Sequence, residues 1–472
     1  MLPIQSLPLG HDISNEESVM PKRTSPGTKR KKHSRILEQI NHSAAGIDAG
    51  AEWHFVAVPE ERATPSVRKF ATTTGGLYAL ADWLAAAGID TVAVEATGVY
   101  CMPLLDVLDG RGLAVVLAKP ASLKSVNDRR KTDMLDCQWI QMLHGFGLLR
   151  ASLRPTQMVA AFRTYSRQRR MLIEQASTAI EHMKKALTSM NIRVELAVSD
   201  ITGRTGMHII RAIVAGERDP MVLAGMRDER CAKSEQAIAE ALLGKYSDEQ
   251  LFALDQALRT WDHYQLLIAE CSQRLAEQSN AFEKKADRKN LPKARQPERE
   301  RKNGLPLDSR AIYYEILGQD LTQIDSIGTS TTCAFIAEVG TNVDAFPSVK
   351  HFTSFLRLSP GSNISGGKNK SGKNRRTTNR LATALRLAAQ TLTRSQSALG
   401  AFYRRKRAQL GAEKAITAAA HKLARMIYFT LKEQRPYLDP GPDHYLQRHR
   451  ERIIRSMEKR AQQLGYQLVR AA

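Results

Sequence analysis

Cysteine is scarce and carries no pattern. Cys101, Cys137, Cys231, Cys271 and Cys333 are scattered through 472 residues, and no C-x-x-C pair occurs. This excludes a zinc knuckle and a disulfide framework and fits a reduced, cytoplasmic setting. Long apolar runs are missing too: none approaches the roughly 18–20 residues of a membrane span, so no membrane partner is expected. No apolar stretch follows a charged start at the N-terminus, so no secretory signal is expected. Acids are outnumbered, 48 Asp and Glu against 70 Lys and Arg, for a net charge of +22. Such an excess points to a polyanionic partner, nucleic acid before any other. On charge alone, a ribosomal-type or simply soluble basic protein is the plainer alternative.

What is present suffices for real cores, with 42% hydrophobic residues. The length suggests about two to four domains. Residues 1–43, with "KRTSPGTKRKKHSR", read as a disordered basic arm. From Ala44, "AAGIDAG", "HFVAVP" and "SVRKFAT" read as three strands. The helical "TTGGLYALADWLAAAG", the strand "DTVAVEATG", the short helix "MPLLDVLDGRG" and the strand "LAVVLAKP" follow, then a helix from about Thr132. Three strands and then alternating helix and strand predict an α/β domain with a mixed sheet, over 44–155, on the ribonuclease H-like plan.

Residues 156–280 carry two long apolar stripes at steps of three or four. One runs from Tyr165 through Leu172, Met183 and Leu187 to Met190, the other from Leu251 through Leu258, Trp261 and Ile268 to Leu275. They predict a helical coiled-coil region, or ordinary bundle helices, with a compact helical knob between them. Residues 281–312 read as a charged linker, 313–432 as a mostly helical C-terminal domain, and 433–472 as a basic tail. In "QIDSIGTSTTCAFIAEVG", Gly328 marks a tight reversal between helices, either a phosphate-contacting helix-hairpin-helix or a plain helical hairpin.

Four carboxylates have the logic of a metal site. Asp48 sits inside the first strand and Glu95 near the end of a central one, where an unpaired acid is costly. Asp133 and Asp136 open a helix, with i, i+3 spacing on one face. Alone, that pair is explained by the helix dipole. Together, the four can hold two divalent ions about 3.5–4 Å apart, as in phosphodiester cleavage. Oxygen-only ligands favour Mg²⁺ or Mn²⁺. Tyr100, Lys119, Arg129, Arg130 and Lys131 lie close by in sequence and could steer a phosphate backbone or merely cover the surface.

The stretch "SGGKNKSGKNRR" (365–376) contains G-x-x-x-x-G-K and nearly spells a nucleotide-binding P-loop. That reading fails. The preceding "RLSPGSNI" is no buried strand, and Asn374 stands where Ser or Thr should bind Mg²⁺. What remains is a loose basic loop. Lys368, Lys370, Lys373, Arg375 and Arg376 could neutralise a phosphate there, and a serine in that field could attack one. On composition, a nucleic-acid-contacting loop with incidental serines outweighs the nucleophile.

"GIDAG", "VAVEATGVY", "RRKTDMLDCQWI", "IDSIGTSTTCAFIAEVG" and "FPSVKHFTSFLRLSPGSNISGGK" together resemble the DEDD insertion-sequence transposases of the IS-one-ten family, to which the Piv-type DNA invertases are related. The resemblance covers roughly 44–150 and 318–432. It implies an N-terminal RuvC-like nuclease domain whose Mg²⁺-binding acids match Asp48, Glu95, Asp133 and Asp136. It also implies a C-terminal transposase domain with a nucleophilic serine, matching Ser365 ahead of Ser362 and Ser371. Ser359 in "RLSP" departs from the family's usual glycine. The implied activity is cutting and rejoining donor and target DNA through phosphoserine intermediates, guided by a structured element-encoded RNA. The implied assembly is a homo-oligomer, a dimer or tetramer, that combines the metal domain of one subunit with the serine domain of another. The expected location is the cytoplasm, with nucleoid association during the reaction. The alternatives are a water-using, RuvC-like Holliday-junction nuclease, a Piv-like invertase and a non-catalytic nucleic-acid-binding protein.

Overall fold

The computed structural model describes residues 38–95, 98, 100–118, 132–149, 151–295, 303–359, 362–365, 368–371 and 379–469; at 362–365 and 368–371 the backbone alone is described. The basic arm up to residue 37, Lys119, Arg129, Arg130, Lys131, Lys373, Arg375 and Arg376 lie outside the described residues. The chain forms two compact units, Met1–Ser152 and Leu153–Ala472.

The first unit is built on a five-stranded sheet of order β3-β2-β1-β4-β5. Its strands are β1 (Ala44–Ala49), β2 (Trp53–Ala57), β3 (Val67–Ala71), β4 (Thr91–Glu95) and β5 (Ala114–Ala118). The first three pair antiparallel, whereas β1–β4 and β4–β5 are parallel. This mixed sheet is consistent with a ribonuclease H-like start. Parallel neighbours need crossovers. Helix α1 (Thr74–Ala86) supplies the first and α2 (Cys101–Gly110) the second. Leu80 and Leu84 of α1 and Leu104 and Leu108 of α2 pack with Ile47, Val92 and Val94 in one core. Strand alternation therefore turns Gly46, Asp48, Ala93 and Glu95 to the opposite face.

Helix α3 (Asp133–Gly145) covers that opposite face. A Cβ at Gly46 would stand 2.2 Å from the Gln141 amide nitrogen and 2.4 Å from the Cys137 carbonyl oxygen. Only a residue without a side chain lets helix and strand approach so closely. The Gln141 side chain also donates, through its Nε2, to the Ala44 carbonyl at 3.3 Å. Farther along α3, His144 is buried, with its Nε2 2.9 Å from the Thr91 hydroxyl.

In the second unit two long helices, α4 (Gln157–Ser189) and α9 (Asp248–Ser279), run antiparallel. Each is about 50 Å long at 1.5 Å per residue. Their direction follows from their contacts: Arg169 Nε donates to Ser272 Oγ at 2.8 Å, Leu172 and Ala176 pack with Ile268, and Met183 and Leu187 lie in one core with Leu254 and Leu258. The last of these cores is the knob. Helices α5 (Val194–Ala197), α6 (Arg204–Val214), α7 (Pro220–Gly225) and α8 (Glu235–Leu242) build it around Ile209, Ile210, Ile213 and Leu223.

The other end of the pair enters a larger helical core, where Val159, Phe162 and Leu275 join Phe335, Phe352, Leu385, Leu423 and Ile427. Its elements are α10 (Ser309–Leu317), α11 (Thr329–Val339), α12 (Val349–Phe355), α13 (Arg380–Thr391), α14 (Ala398–Leu410), α15 (Ala412–Glu433) and α16 (Gly441–Gln463). The described part of the charged stretch after α9 lies along this core. The buried Arg310 guanidinium binds the Asp320 carboxylate at 2.6 Å and the Pro292 carbonyl at 2.6 Å.

Candidate active site

Asp48 is the centre of the carboxylate group. The parallel register pairs Ile47 with Val94, so the next residue on each strand, Asp48 and Glu95, falls side by side. Ala44 and Gly46 meet α3 at Gln141 and Cys137, so the helix runs back along β1 as the strand advances. Two residues beyond Gly46, on the same face, Asp48 meets the first turn of α3, which carries Asp133 and Asp136. Thr132 starts that helix in an extended conformation, its hydroxyl accepting from the Leu135 amide at 3.3 Å. This fixes the helix start, and its positive dipole end, beside the acids.

The electrostatics record the convergence. Asp48 is half-buried, and its pKa is raised to about 6, first by burial and then by the neighbouring Glu95, Asp133 and Asp136 carboxylates. The other three sequence-identified acids therefore all act on Asp48. They do not form a closed cage: among the described residues, no three His, Cys, Asp or Glu side chains stand close enough together to grip a metal ion. The donor chemistry nonetheless fits a hard divalent cation, since the group consists of carboxylates whose repulsion a cation would relieve. Cys137 stays outside the donor set. Its buried thiol donates to the Met134 carbonyl at 3.0 Å, and burial, with Asp48 and Asp136 adding, pushes its pKa up to about 12.

In the second unit the basic stretch is partly ordered, which corrects its reading as a loose loop. Strands β6 (Ser362–Ser365) and β7 (Lys368–Ser371) form an antiparallel hairpin, with Ser365 opposite Lys368 and Asn363 opposite Lys370. Ser365 thus ends the first strand at the hairpin turn. Just before the hairpin, Ser359 donates to the Thr353 hydroxyl at 2.9 Å on α12. Just after it, Asn379 caps α13 by accepting from the Ala382 amide at 3.0 Å. Arg380 follows and lines a hollow on α4 with Thr164, Arg167 and Arg170. Arg167 in turn forks onto the Glu338 carboxylate, with contacts of 2.9–3.1 Å.

Sequence reasoning missed Gly46, the contact residue that lets α3 reach the sheet, and His144, which pins the far end of α3. A signal for the first existed, since a glycine two positions before a strand acid lies on the acid's own face. Arg380 and Arg167 were also missed, because nothing local ties an arginine on α4 to one on α13.

A mixed sheet with acids gathered at the ends of its two central strands and on the helix above them, followed by a helical second unit, is consistent with a nucleic-acid-processing enzyme, and the family comparisons agree with that class. Residues 45–192 match the transposase model of the DEDD, IS110 type, and residues 318–404 match the model described as transposase, IS116/IS110/IS902 family. No curated protein matches the chain. The chain belongs to the IS110 family of DEDD transposases. It is accordingly a DNA strand-transfer enzyme of an insertion element, of a kind that uses divalent metal ions.

Proposed function

We propose that this transposase cuts and rejoins donor and target DNA through a serine nucleophile, with Asp48, Glu95, Asp133 and Asp136 holding Mg²⁺. The observation that carries the reading is the mutual repulsion at Asp48: four acids are gathered where a binding surface for phosphates gains nothing from negative charge. When bound, the ion supplies charge neutralisation at the phosphate and raises its electrophilicity. The chain's own residues do the rest. Asp48 and Glu95, fixed on adjacent strands, set the position of the charge, while Asp133 and Asp136 complete it from a capped helix.

Ser365, at the hairpin turn, attacks phosphorus through its Oγ. One P–O bond forms as the bond to the departing sugar oxygen breaks; the serine hydroxyl gives up its proton and that oxygen takes one up, so the protons balance. A second strand's hydroxyl then attacks the phosphoserine, restoring Ser365 and joining new DNA without water. Lys368, Lys370, Lys373, Arg375 and Arg376 orient the phosphate as charge builds on it, with Arg130 and Lys131 holding the backbone in the first unit. A structured RNA from the element selects the two DNAs, and the reaction runs in an assembly of two or four copies. The helix pair of α4 and α9 provides a rod suited to that assembly. Inversion of a DNA segment would use the same chemistry.

The test combines protein, the element's non-coding RNA, circular element DNA and Mg²⁺, and looks for a covalent protein–DNA adduct. The adduct should form with the native chain and vanish in Ser365→Ala. A water-using junction nuclease with the same carboxylates would cut DNA and leave no adduct.

A further inference from the structure

Mostly beyond the residues matched by the family models, α14, α15 and α16 border an open cavity of about 480 Å³. Lys422, Arg448, Arg452 and Arg455 line it, together with Tyr445 and one acid, Glu451. Like charges gathered in this way repel, and the usual remedy is a carboxylate for each cation. Here that remedy is missing: among the described residues, none of these four cations forms an ion pair. Lys422 is half-buried instead against aromatic faces, with its ammonium 4.5 Å from the Phe402 ring centre and 5.2 Å from that of Tyr445. Arg405 lies over the same two rings and donates to the Tyr445 hydroxyl at 2.7 Å.

The rings thus hold two cations beside the cavity without neutralising either. Burial, then Arg452, Arg405 and Arg425, push the Lys422 pKa down, so the cluster is under electrostatic strain that an anion would relieve. Tyr445 is the one buried residue of α16, so this helix is seated on the bundle by a member of the cluster itself.

We infer that this cavity is a phosphate-binding site through which α16 anchors a nucleic-acid strand. Two features favour a phosphodiester over a free oxyanion. The cavity is much larger than one phosphate group and leaves room for the flanking sugars. The positive charge also continues outside it, along α16, at Arg450, Lys459 and Arg460. The inference is independent of the serine and metal assignments. It concerns binding alone, at a place that neither the carboxylate group nor the hairpin includes.

The test uses the full-length protein and labelled 30-nucleotide single-stranded DNA, RNA and duplex DNA, each titrated at several salt concentrations. Arg448→Glu/Arg452→Glu is compared with Arg450→Glu/Lys459→Glu, which makes the same change of net charge on the same helix outside the cavity. Circular dichroism confirms that both variants fold. The cavity pair should weaken binding of at least one of the three nucleic acids by about tenfold or more and flatten its salt dependence by about two phosphate contacts, with the outer pair having a clearly smaller effect. Lys422→Met, which keeps the packing against the rings, should reproduce part of the loss. Equal losses from the two pairs would overturn the inference, because bulk charge would then explain the binding. Stabilisation by inorganic phosphate that the cavity pair abolishes, with nucleic-acid affinity unchanged, would also overturn it in favour of a free-anion site.

Discussion

Gly46 and Gln141 touch backbone to backbone: a Cβ on the glycine would lie 2.2 Å from the Gln141 amide nitrogen. The contact sets how deeply α3 sits on the sheet, and therefore how close Asp133 and Asp136 come to Asp48. Gly46→Ala should force helix and strand apart. The expected cost is about 2–4 kcal/mol in the stability of the first unit, with loss of strand transfer. Thermal denaturation and a DNA-cleavage assay check this together. A variant of native stability and activity would show that α3 can shift freely.

Asp48 gives a pH prediction of definite sign. Its pKa is raised from 3.8 to about 6 in the folded protein. Between those values the folded state holds a proton that the unfolded state has lost, so stability falls as pH rises through the window. Above it, the ionised carboxylate destabilises the metal-free protein. Asp48→Asn should therefore stabilise the metal-free chain at pH 7 by on the order of 1–2 kcal/mol, after discounting for partial exposure, and by almost nothing below about pH 4. Urea denaturation across pH measures the difference. The same variant should be inactive, which separates a functional acid from a structural one.

Divalent ions should act in the opposite direction to Asp48 ionisation. Mg²⁺ or Mn²⁺ at about one hundred times its dissociation constant should stabilise the protein by about 2.7 kcal/mol. Asp133→Asn/Asp136→Asn should abolish that gain while changing the metal-free stability little, because Asp133 is exposed and Asp136 only half-buried. Calorimetric melts with and without a chelator make the comparison.

The Arg310–Asp320 pair should matter for stability and not for chemistry. Both side chains are almost fully buried. Asp320→Ala would leave the guanidinium uncompensated beside the Pro292 and core residues, at a cost of about 3–5 kcal/mol. The replacement Asp320→Asn should cost less, since it keeps an acceptor for the guanidinium. Denaturant midpoints of the two variants order these outcomes.

The elements most legible in the sequence were those with a strong period. Asp48 stood out because an acid inside "GIDAG" interrupts an otherwise apolar strand, and the stripes on α4 and α9 gave their buried residues directly. Contacts between distant segments were not legible. Gly46 lies 95 residues from Gln141, and no local pattern announces their approach. The hairpin at 362–371 was missed for another reason. Its strands are mostly Ser, Asn and Lys, with Ile364 the one β-branched residue and no aromatic, too little to mark a strand, so its order rests on backbone pairing. The cationic cavity escaped because it draws Phe402, Lys422, Tyr445 and Arg452 from three separate helices, each of which alone reads as an ordinary charged surface.

The central claim is that DNA passes through a bond to Ser365 under the control of the acids around Asp48. The most direct measurement traps the reaction of full-length protein with element DNA, RNA and Mg²⁺ in denaturant, and maps any DNA-linked peptide by mass spectrometry. The account predicts a phosphodiester-linked nucleotide on Ser365, absent in Ser365→Ala and in Asp48→Asn. Full strand exchange by Ser365→Ala, or a linkage to another residue, would contradict it.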